Sequence, residues 1–206
     1  MRAHAYTYLI SLILIALVFS ACKKEGDESV INLFSVEDDI KFGQSLEEVI
    51  AANPQEFPIL SQDQYPEAYD HIYRIRDSIL NTGLITYDDR FEWKVYIIHN
   101  DSVLNAFAAP GGYMYFYTGI IRFLDDEAEF AGVMAHEMAH CARRHSTDNL
   151  TKQYGIGIML QIILGNNPGQ LAEIAAGMAS GLSSLAFSRA NEYEADQYAV
   201  KYLSGT

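Results

Sequence analysis

Three polar residues in the middle of the sequence have the types and spacing that suit metal-assisted hydrolysis. His136, Glu137 and His140 form an H-E-x-x-H pattern. On an α-helix, residues four apart lie on one face, one turn above each other. The two imidazoles can therefore reach one metal ion at about 2.0–2.1 Å, the usual Zn–N distance. Glu137 then lies beside the ion, where a carboxylate can take a proton from water.

The residues around this pattern predict a largely buried helix. Most of them are apolar, namely Phe130, Val133, Met134, Met138 and Ala139. Unpaired polar groups in such surroundings cost on the order of several kcal/mol, so two histidines and a glutamate need a reason to be there. The apolar frame makes the pattern more specific than H-E-x-x-H alone, which also occurs by chance.

A catalytic zinc ion usually has three protein ligands and one open position. No third histidine follows at metzincin spacing, so we expect a carboxylate from another helix. The segment 188–196 carries the candidates Glu192, Glu194 and Asp196. Glu192 and Asp196 share a helical face, and Glu194 points about 200° away from Glu192. If Glu192 binds the metal, Asp196 can accept a hydrogen bond from a ligand imidazole.

The other histidines and the second cysteine favour structural roles. His145 falls in the predicted last turn of the metal helix, where positive charge complements the helix dipole. Cys141 points about 100° from the ligand face and is expected to be a small buried residue. His71 and His99 are expected to be structural or surface residues.

Composition indicates one acidic globular domain. Half of the 206 residues are hydrophobic, and 14 Lys and Arg stand against 27 Asp and Glu. That length and apolar content suit a single domain with a sizeable core. No segment combines basic and aromatic residues in the way that nucleic-acid binding needs, so nucleic-acid binding is not expected.

The N-terminus is typical of an export signal. Residues 1–21 contain Arg2 and an apolar segment, Tyr8–Phe19, that is short for a membrane span. Small residues then lead to Cys22, as in a bacterial lipoprotein signal, in which that cysteine is lipidated. Residues 22–34 are predicted to be a tether. An ordinary cleaved signal peptide or an uncleaved anchor are the alternatives, and each places the domain outside the cytoplasm.

The elements that position the site follow from periodicity. Helices are predicted from Ser35 and over 64–81, strands over 93–98 and within 103–119, and a metal helix that ends near His145. Two later apolar segments are predicted to be helices packed against the metal helix rather than membrane spans, over 154–164 and 168–187.

One of these strands has tyrosine at alternate positions, Tyr113, Tyr115 and Tyr117. It fits a half-buried strand whose hydroxyls face water. It also fits an edge strand beside the metal, to which an extended peptide can add through main-chain hydrogen bonds.

Three segments together resemble the M48 zinc metallopeptidases. They are N-A-F-A-A-P-G-G-Y at 105–113, H-E-M-A-H at 136–140 and S-R-A-N-E-Y-E-A-D at 188–196. The resemblance covers roughly 35–206, the predicted domain. It implies an α+β, zincin-like fold, mostly helical, with a small antiparallel sheet whose edge strand borders the active site.

The resemblance also implies roles for single residues. His136, His140 and Glu192 would bind one zinc ion, Glu137 would be the general base, and Asp196 matches the family's Asp after the third ligand. The segment from Asn105 to Tyr117 matches the active-site edge strand, which implies substrate-binding roles that we assign to Asn105, Gly111, Gly112 and Tyr113.

The lipoprotein signal brings this chain nearer to the periplasmic, BepA- and LoiP-like type than to the HtpX type or the CAAX prenyl proteases. The expected function is zinc-dependent cleavage of envelope proteins in quality control, by a periplasm-facing lipoprotein of the outer membrane. Two alternatives are a chaperone or scaffold for outer-membrane proteins with a seldom used metal site, and a membrane-embedded, HtpX-like protease.

One departure concerns the oxyanion. The sequence ends at Thr206, fourteen residues after Glu192, whereas periplasmic relatives commonly continue with further helices or a repeat domain. The domain is therefore either a minimal or partial form, or a tyrosine such as Tyr113 or Tyr193 stabilises the oxyanion.

Overall fold

Helices dominate the fold, as the sequence predicts. The computed structural model describes residues 34–180 and 187–206. The predicted signal peptide, Cys22 and all but the last residue of the predicted tether lie outside the described residues. The described helices are α1 (Val36–Ala52), α2 (Pro66–Leu80), α3 (Thr118–Phe123), α4 (Glu127–Ala142), α5 (His145–Ile163), α6 (Pro168–Ser180) and α7 (Arg189–Leu203). The strands are β1 (Lys94–Ile98), β2 (Ala106–Ala109) and β3 (Tyr113–Tyr117).

The first two helices begin where local chemistry favours it. The Ser35 hydroxyl accepts a hydrogen bond from the Asp38 amide at 3.1 Å, and the Asp38 carboxylate accepts one from the Ser35 amide at 3.0 Å. This reciprocal pair is a capping box, and it confirms the predicted start of α1. α2 begins at Pro66, where a missing N–H leaves no hydrogen bond unmade.

The sheet is mixed, which corrects the expectation of an antiparallel sheet. Its strand order is β1–β3–β2, with β1 parallel and β2 antiparallel to β3. β2 and β3 form a hairpin around residues 110–112. The hairpin joins β1 through its second strand, which makes that pairing parallel. Periodicity marks each strand but carries no information on which neighbour it pairs with.

Two apolar clusters lie on opposite faces of the sheet. The site-side cluster joins α2, α4 and α7 to strand residues such as Val95, Met114 and Phe116. The far-side cluster joins α1, α5 and α6 to strand residues such as Phe107 and Tyr115. Successive residues of a strand point to opposite faces, so each strand contributes to both clusters.

The tyrosines of β3 are buried, and both interpretations of their alternation are wrong. β3 is the central strand, and Tyr113, Tyr115 and Tyr117 are at most 5 % exposed. The Tyr115 ring stacks between those of Tyr96 and Phe107 on the neighbouring strands, at centroid distances of 5.1 and 4.7 Å. These rings cover the far face of the sheet. The two edge strands are β1 and β2, and the outer side of β1 carries an isolated bridge between Ile59 and Ile98.

The two late apolar helices pack mainly on the far side. Their buried residues Leu150, Met159, Leu171 and Ile174 belong to the far-side cluster with α1. The prediction that these helices pack against the metal helix is therefore wrong for these buried residues, whereas 181–186 of the second predicted segment lie outside the described residues. Over residues 34–180 and 187–206, no helix has both the length and the apolar character that a membrane crossing requires.

Candidate metal centre

The helix α4 places the H-E-x-x-H residues beside the sheet. The Asp126 carboxylate caps its start by accepting a hydrogen bond from the Glu129 amide at 3.0 Å. Its side chains Met134 and Met138 are fully buried in the site-side cluster, and Val133 is partly buried against it. Cys141 is buried too, and burial raises the pKa of its thiol, which confirms it as a small core residue.

The helix α7 supplies the carboxylates. Ser188 caps its start by accepting a hydrogen bond from the Asn191 amide at 3.2 Å. The middle and the C-terminal end of α7 are buried in the site-side cluster through Ala195, Ala199 and Tyr202. Residues of α4 belong to the same cluster. Small alanine side chains allow the two helices to approach closely, and this brings the first turns of α7 to the ligand face of α4.

The predicted ligand side chains converge on one point. Atoms Nε2 of His136 and His140 lie 3.0 Å apart. The Glu192 carboxylate lies 3.3 Å from Nε2 of His136 and 3.9 Å from Nε2 of His140. One donor atom from each residue lies within 4.8 Å of the others, so this group could hold one metal ion.

The donor chemistry fits zinc. Two imidazole nitrogens and a carboxylate oxygen are a common zinc ligand set in hydrolases, with a further position open to water. Burial lowers the pKa of His140, and the neighbouring His136 and His145 lower it further. The neutral imidazole, which is the form that binds metals, is therefore favoured.

The two histidines are supported by different neighbours. Nδ1 of His136 lies 2.9 Å from the Asp196 carboxylate, the partner that helical spacing predicts. Nδ1 of His140 lies 3.0 Å from Nδ1 of His145, and Nε2 of His145 lies 3.3 Å from the Glu194 carboxylate. His145 begins α5 instead of ending α4, so its expected dipole role is wrong.

Phe187 and Arg143 complete these surroundings. The Phe187 ring stacks on the His140 ring at a centroid distance of 3.9 Å. The Arg143 guanidinium donates to the Glu194 carboxylate at 2.6 Å. Sequence reasoning gave neither residue a role at the site. In the sequence, Glu194 and His145 are polar residues close to the candidate ligands, but the sequence does not show which residues they contact.

Glu137 is buried next to this group. Burial raises the pKa of its carboxyl to about 8, and the negative charge of Glu192 adds to the shift. A cation held by the donors would oppose both effects, because it favours the ionised carboxylate. The charge of the Glu137 carboxyl therefore depends on its burial and on the charges around it.

Comparison with known proteins places this geometry in a family. The sequence model of Peptidase family M48 matches residues 75–206, which include every residue of the site. The chain belongs to peptidase family M48. M48 proteins are metal-dependent peptidases, which agrees with the donor group at His136, His140 and Glu192.

Curated M48 relatives cover about half of this chain. A Yersinia pestis protein named beta-barrel assembly-enhancing protease is 32 % identical over 124 residues, 55 % of this chain and 25 % of its own length. The Escherichia coli K12 protein of that name is 32 % identical over 117 residues, which are 52 % of this chain and 24 % of that protein. The Arabidopsis thaliana mitochondrial metalloendopeptidase OMA1 is 31 % identical over 112 residues, which are 54 % of this chain and 22 % of that protein. The aligned segments thus span about a quarter of each of these relatives.

The M48 edge-strand residues are only partly where the sequence suggested. Asn105 precedes β2, and its side chain donates to the Ala179 carbonyl at 3.2 Å. Tyr113 lies in the central strand, 0 % exposed, with its ring on the far face, so its placement at an edge is corrected. The strand that borders α4 is β2, where the Cys141 thiol contacts the Ala109 carbonyl at 3.4 Å.

Gly111 and Gly112 have a packing explanation. Both have positive φ, +80° and +88°. A Cβ atom on Gly111 would lie 2.8 Å from Cα of Ile40, and one on Gly112 would lie 2.9 Å from Cβ of Phe91. The β2–β3 turn therefore requires glycine at both positions. Their predicted contact with substrate stays a prediction.

The two oxyanion candidates differ in position. The Tyr113 side chain is buried on the sheet face opposite α4 and does not reach the donor group. Tyr193 directly follows Glu192 on α7 and is 66 % exposed. Of the two, Tyr193 is the one that adjoins a predicted ligand in the sequence.

Proposed function

We propose that this protein is a zinc-dependent endopeptidase that cleaves proteins of the bacterial envelope, as part of protein quality control. One observation carries the proposal: the donor atoms of His136, His140 and Glu192 converge beside the buried Glu137. Membership of family M48 supports a metallopeptidase activity.

The residues divide the chemistry between them. A zinc ion held by the three ligands would polarise a peptide carbonyl and bring the pKa of a water in the site towards about 7. Glu137 takes the proton of the attacking water and passes it to the nitrogen of the leaving amine. Asp196 accepts the Nδ1 proton of His136, which keeps Nε2 of that ring free for the metal.

The test is the variant Glu137→Gln, which has nearly the same shape and cannot accept the proton. We expect casein cleavage to fall by about 10²- to 10⁴-fold, the usual contribution of general acid–base catalysis. Zinc content, measured by elemental analysis, should stay at one ion per chain. Glu129→Gln, on the same helix and exposed, is the matched control and should keep its activity. Full cleavage by Glu137→Gln would refute the proposal.

We also propose the export and anchoring of the chain. Residues 1–21 would be removed as a signal peptide, Cys22 would carry lipid, and 22–34 would tether the domain to the outer membrane. The small residues before Cys22 and the polar stretch after it support this proposal. Cys22→Ser should abolish incorporation of labelled palmitate and release the protein from the membrane fraction.

A chaperone or scaffold role for outer-membrane proteins is the second candidate. The names of the Yersinia and Escherichia relatives, beta-barrel assembly-enhancing protease, favour it. A strain that carries Glu137→Gln separates the two functions. If it resembles the deletion strain, proteolysis is the function that matters. If it resembles the wild type, the protein supports the assembly of outer-membrane proteins without proteolysis.

A further inference from the structure

We propose that His145 and Glu194 are positioning residues that fix the orientation and the tautomer of His140 for metal binding. The inference rests on the proposed metal site. It concerns the side of His140 that faces away from the metal, where a histidine and a glutamate from two other helices lie in series.

The tautomer of His140 follows from its two neighbours. Its Nε2 faces His136 and Glu192, so this nitrogen must present a lone pair when it binds a metal. The proton of the neutral ring must then be on Nδ1. That atom lies 3.0 Å from Nδ1 of His145, which is at hydrogen-bonding distance.

The direction of the remaining hydrogen bonds is then determined. Nδ1 of His145 accepts the proton of His140, so neutral His145 carries its own proton on Nε2. That nitrogen lies 3.3 Å from Oε2 of Glu194, which can only accept while it is ionised. Oε1 of Glu194 in turn accepts from Nε of Arg143 at 2.6 Å. One set of tautomers satisfies every group.

Water is poorly placed to substitute for His145. The His140 side chain is 1 % exposed and that of His145 is 5 % exposed. Asp196, which supports the other ligand histidine, is 72 % exposed, so water can take over its role. Loss of the buried His145 should therefore weaken metal binding by His140 more than loss of the exposed Asp196 weakens metal binding by His136.

The backbone that carries His145 is also held in place. Arg144, the preceding residue, has a left-handed conformation with φ +60°. Its guanidinium donates to the buried Asp39 carboxylate at 2.5 Å and to the Phe34 carbonyl at 2.6 Å. A non-glycine residue keeps this conformation only where its surroundings enforce it. The contact between α1 and the α4–α5 junction thus determines where the His145 ring lies.

The experiment compares zinc affinity in full-length variants by competition with a chelator. His145→Ala should weaken zinc binding by about 10- to 100-fold, the usual effect of losing a partner of a ligand histidine. His145→Asn should restore most of the loss, because its Oδ1 occupies the place of Nδ1 and accepts from His140. His99→Ala removes an exposed histidine elsewhere and should bind zinc like the wild type.

A second readout separates positioning from structural damage. Cobalt substitution should give an altered visible absorption spectrum for His145→Ala and a near-normal one for His145→Asn. If His145→Ala does not fold without metal, Glu194→Gln takes its place, since it keeps the shape and removes the charge that accepts from His145. This variant should also bind zinc more weakly.

The outcomes distinguish this inference from the proposed function. Wild-type zinc affinity in His145→Ala or, if that variant does not fold, in Glu194→Gln overturns the positioning role, as does an equal loss in His145→Ala and His145→Asn. A wild-type protein that binds zinc without cleaving casein overturns the proposed function and leaves the positioning role intact.

Discussion

At the scale of single residues, two helical glycines predict opposite effects of an added methyl group. A Cβ atom on Gly43 would lie 2.3 Å from the Pro110 carbonyl oxygen and 2.4 Å from the Tyr113 ring. Among the described residues, a Cβ atom on Gly132 would meet no neighbouring heavy atom within 4 Å. Gly132→Ala should raise the free energy of unfolding by about 0.5–1 kcal/mol through helix propensity. Gly43→Ala should lower it by about 1–3 kcal/mol through overpacking. Urea unfolding followed by circular dichroism measures both, and changes of the same sign would contradict the packing.

Helical spacing was sufficient for part of the site and misleading for the rest. Spacing alone placed His136 and His140 on one face and Asp196 within reach of a ligand. It set Glu194 aside, because that side chain points about 200° from Glu192. The structure shows that α4 ends at Ala142 and that the chain turns so His145 meets Glu194 from the other side. A helical wheel describes one helix and cannot contain such a contact.

At the scale of elements, the proposed metal joins α4 to α7, so its removal should loosen their packing. Zinc at about 100 times its Kd contributes about 2.7 kcal/mol to the folded state. For a domain of this size that corresponds to a rise in Tm of about 5–10 °C. Chelator should therefore lower the Tm of the wild type by this amount and leave that of His140→Ala unchanged. A wild-type Tm that does not respond to chelator would mean that the metal does not hold the helices together.

Element types were more predictable than element order. The capping box at Ser35 and the apolar stripe after it predicted α1, and the alternation around Tyr113 predicted β3. The central place of β3 was not predictable, because it depends on which side of the β2–β3 hairpin meets β1. The sequence predicts the end of α4 near His145, three residues after the observed end at Ala142. The observed end depends on the contact of Arg144 with Asp39 in a distant helix.

At the scale of the whole molecule, the sheet couples the two apolar clusters. Every residue of β3 is buried, and its side chains alternate between the site-side and far-side clusters. Unfolding of either helical layer would expose an apolar face of the sheet to water, which is unfavourable. The described domain, residues 34–180 and 187–206, should therefore unfold as one unit, as small single domains usually do.

The single tryptophan makes this cooperativity measurable. Trp93 is 3 % exposed and belongs to the site-side cluster, whereas Leu46 of α1 is 0 % exposed and belongs to the far-side cluster. Leu46→Ala should cost about 2–5 kcal/mol through the cavity that it leaves. The urea midpoints measured by tryptophan fluorescence and by circular dichroism should then fall by the same amount, although the substitution lies across the sheet from Trp93. If the helical signal is lost before the fluorescence changes, the far-side layer unfolds by itself, and the sheet does not transmit stability to the side that carries the proposed metal ligands.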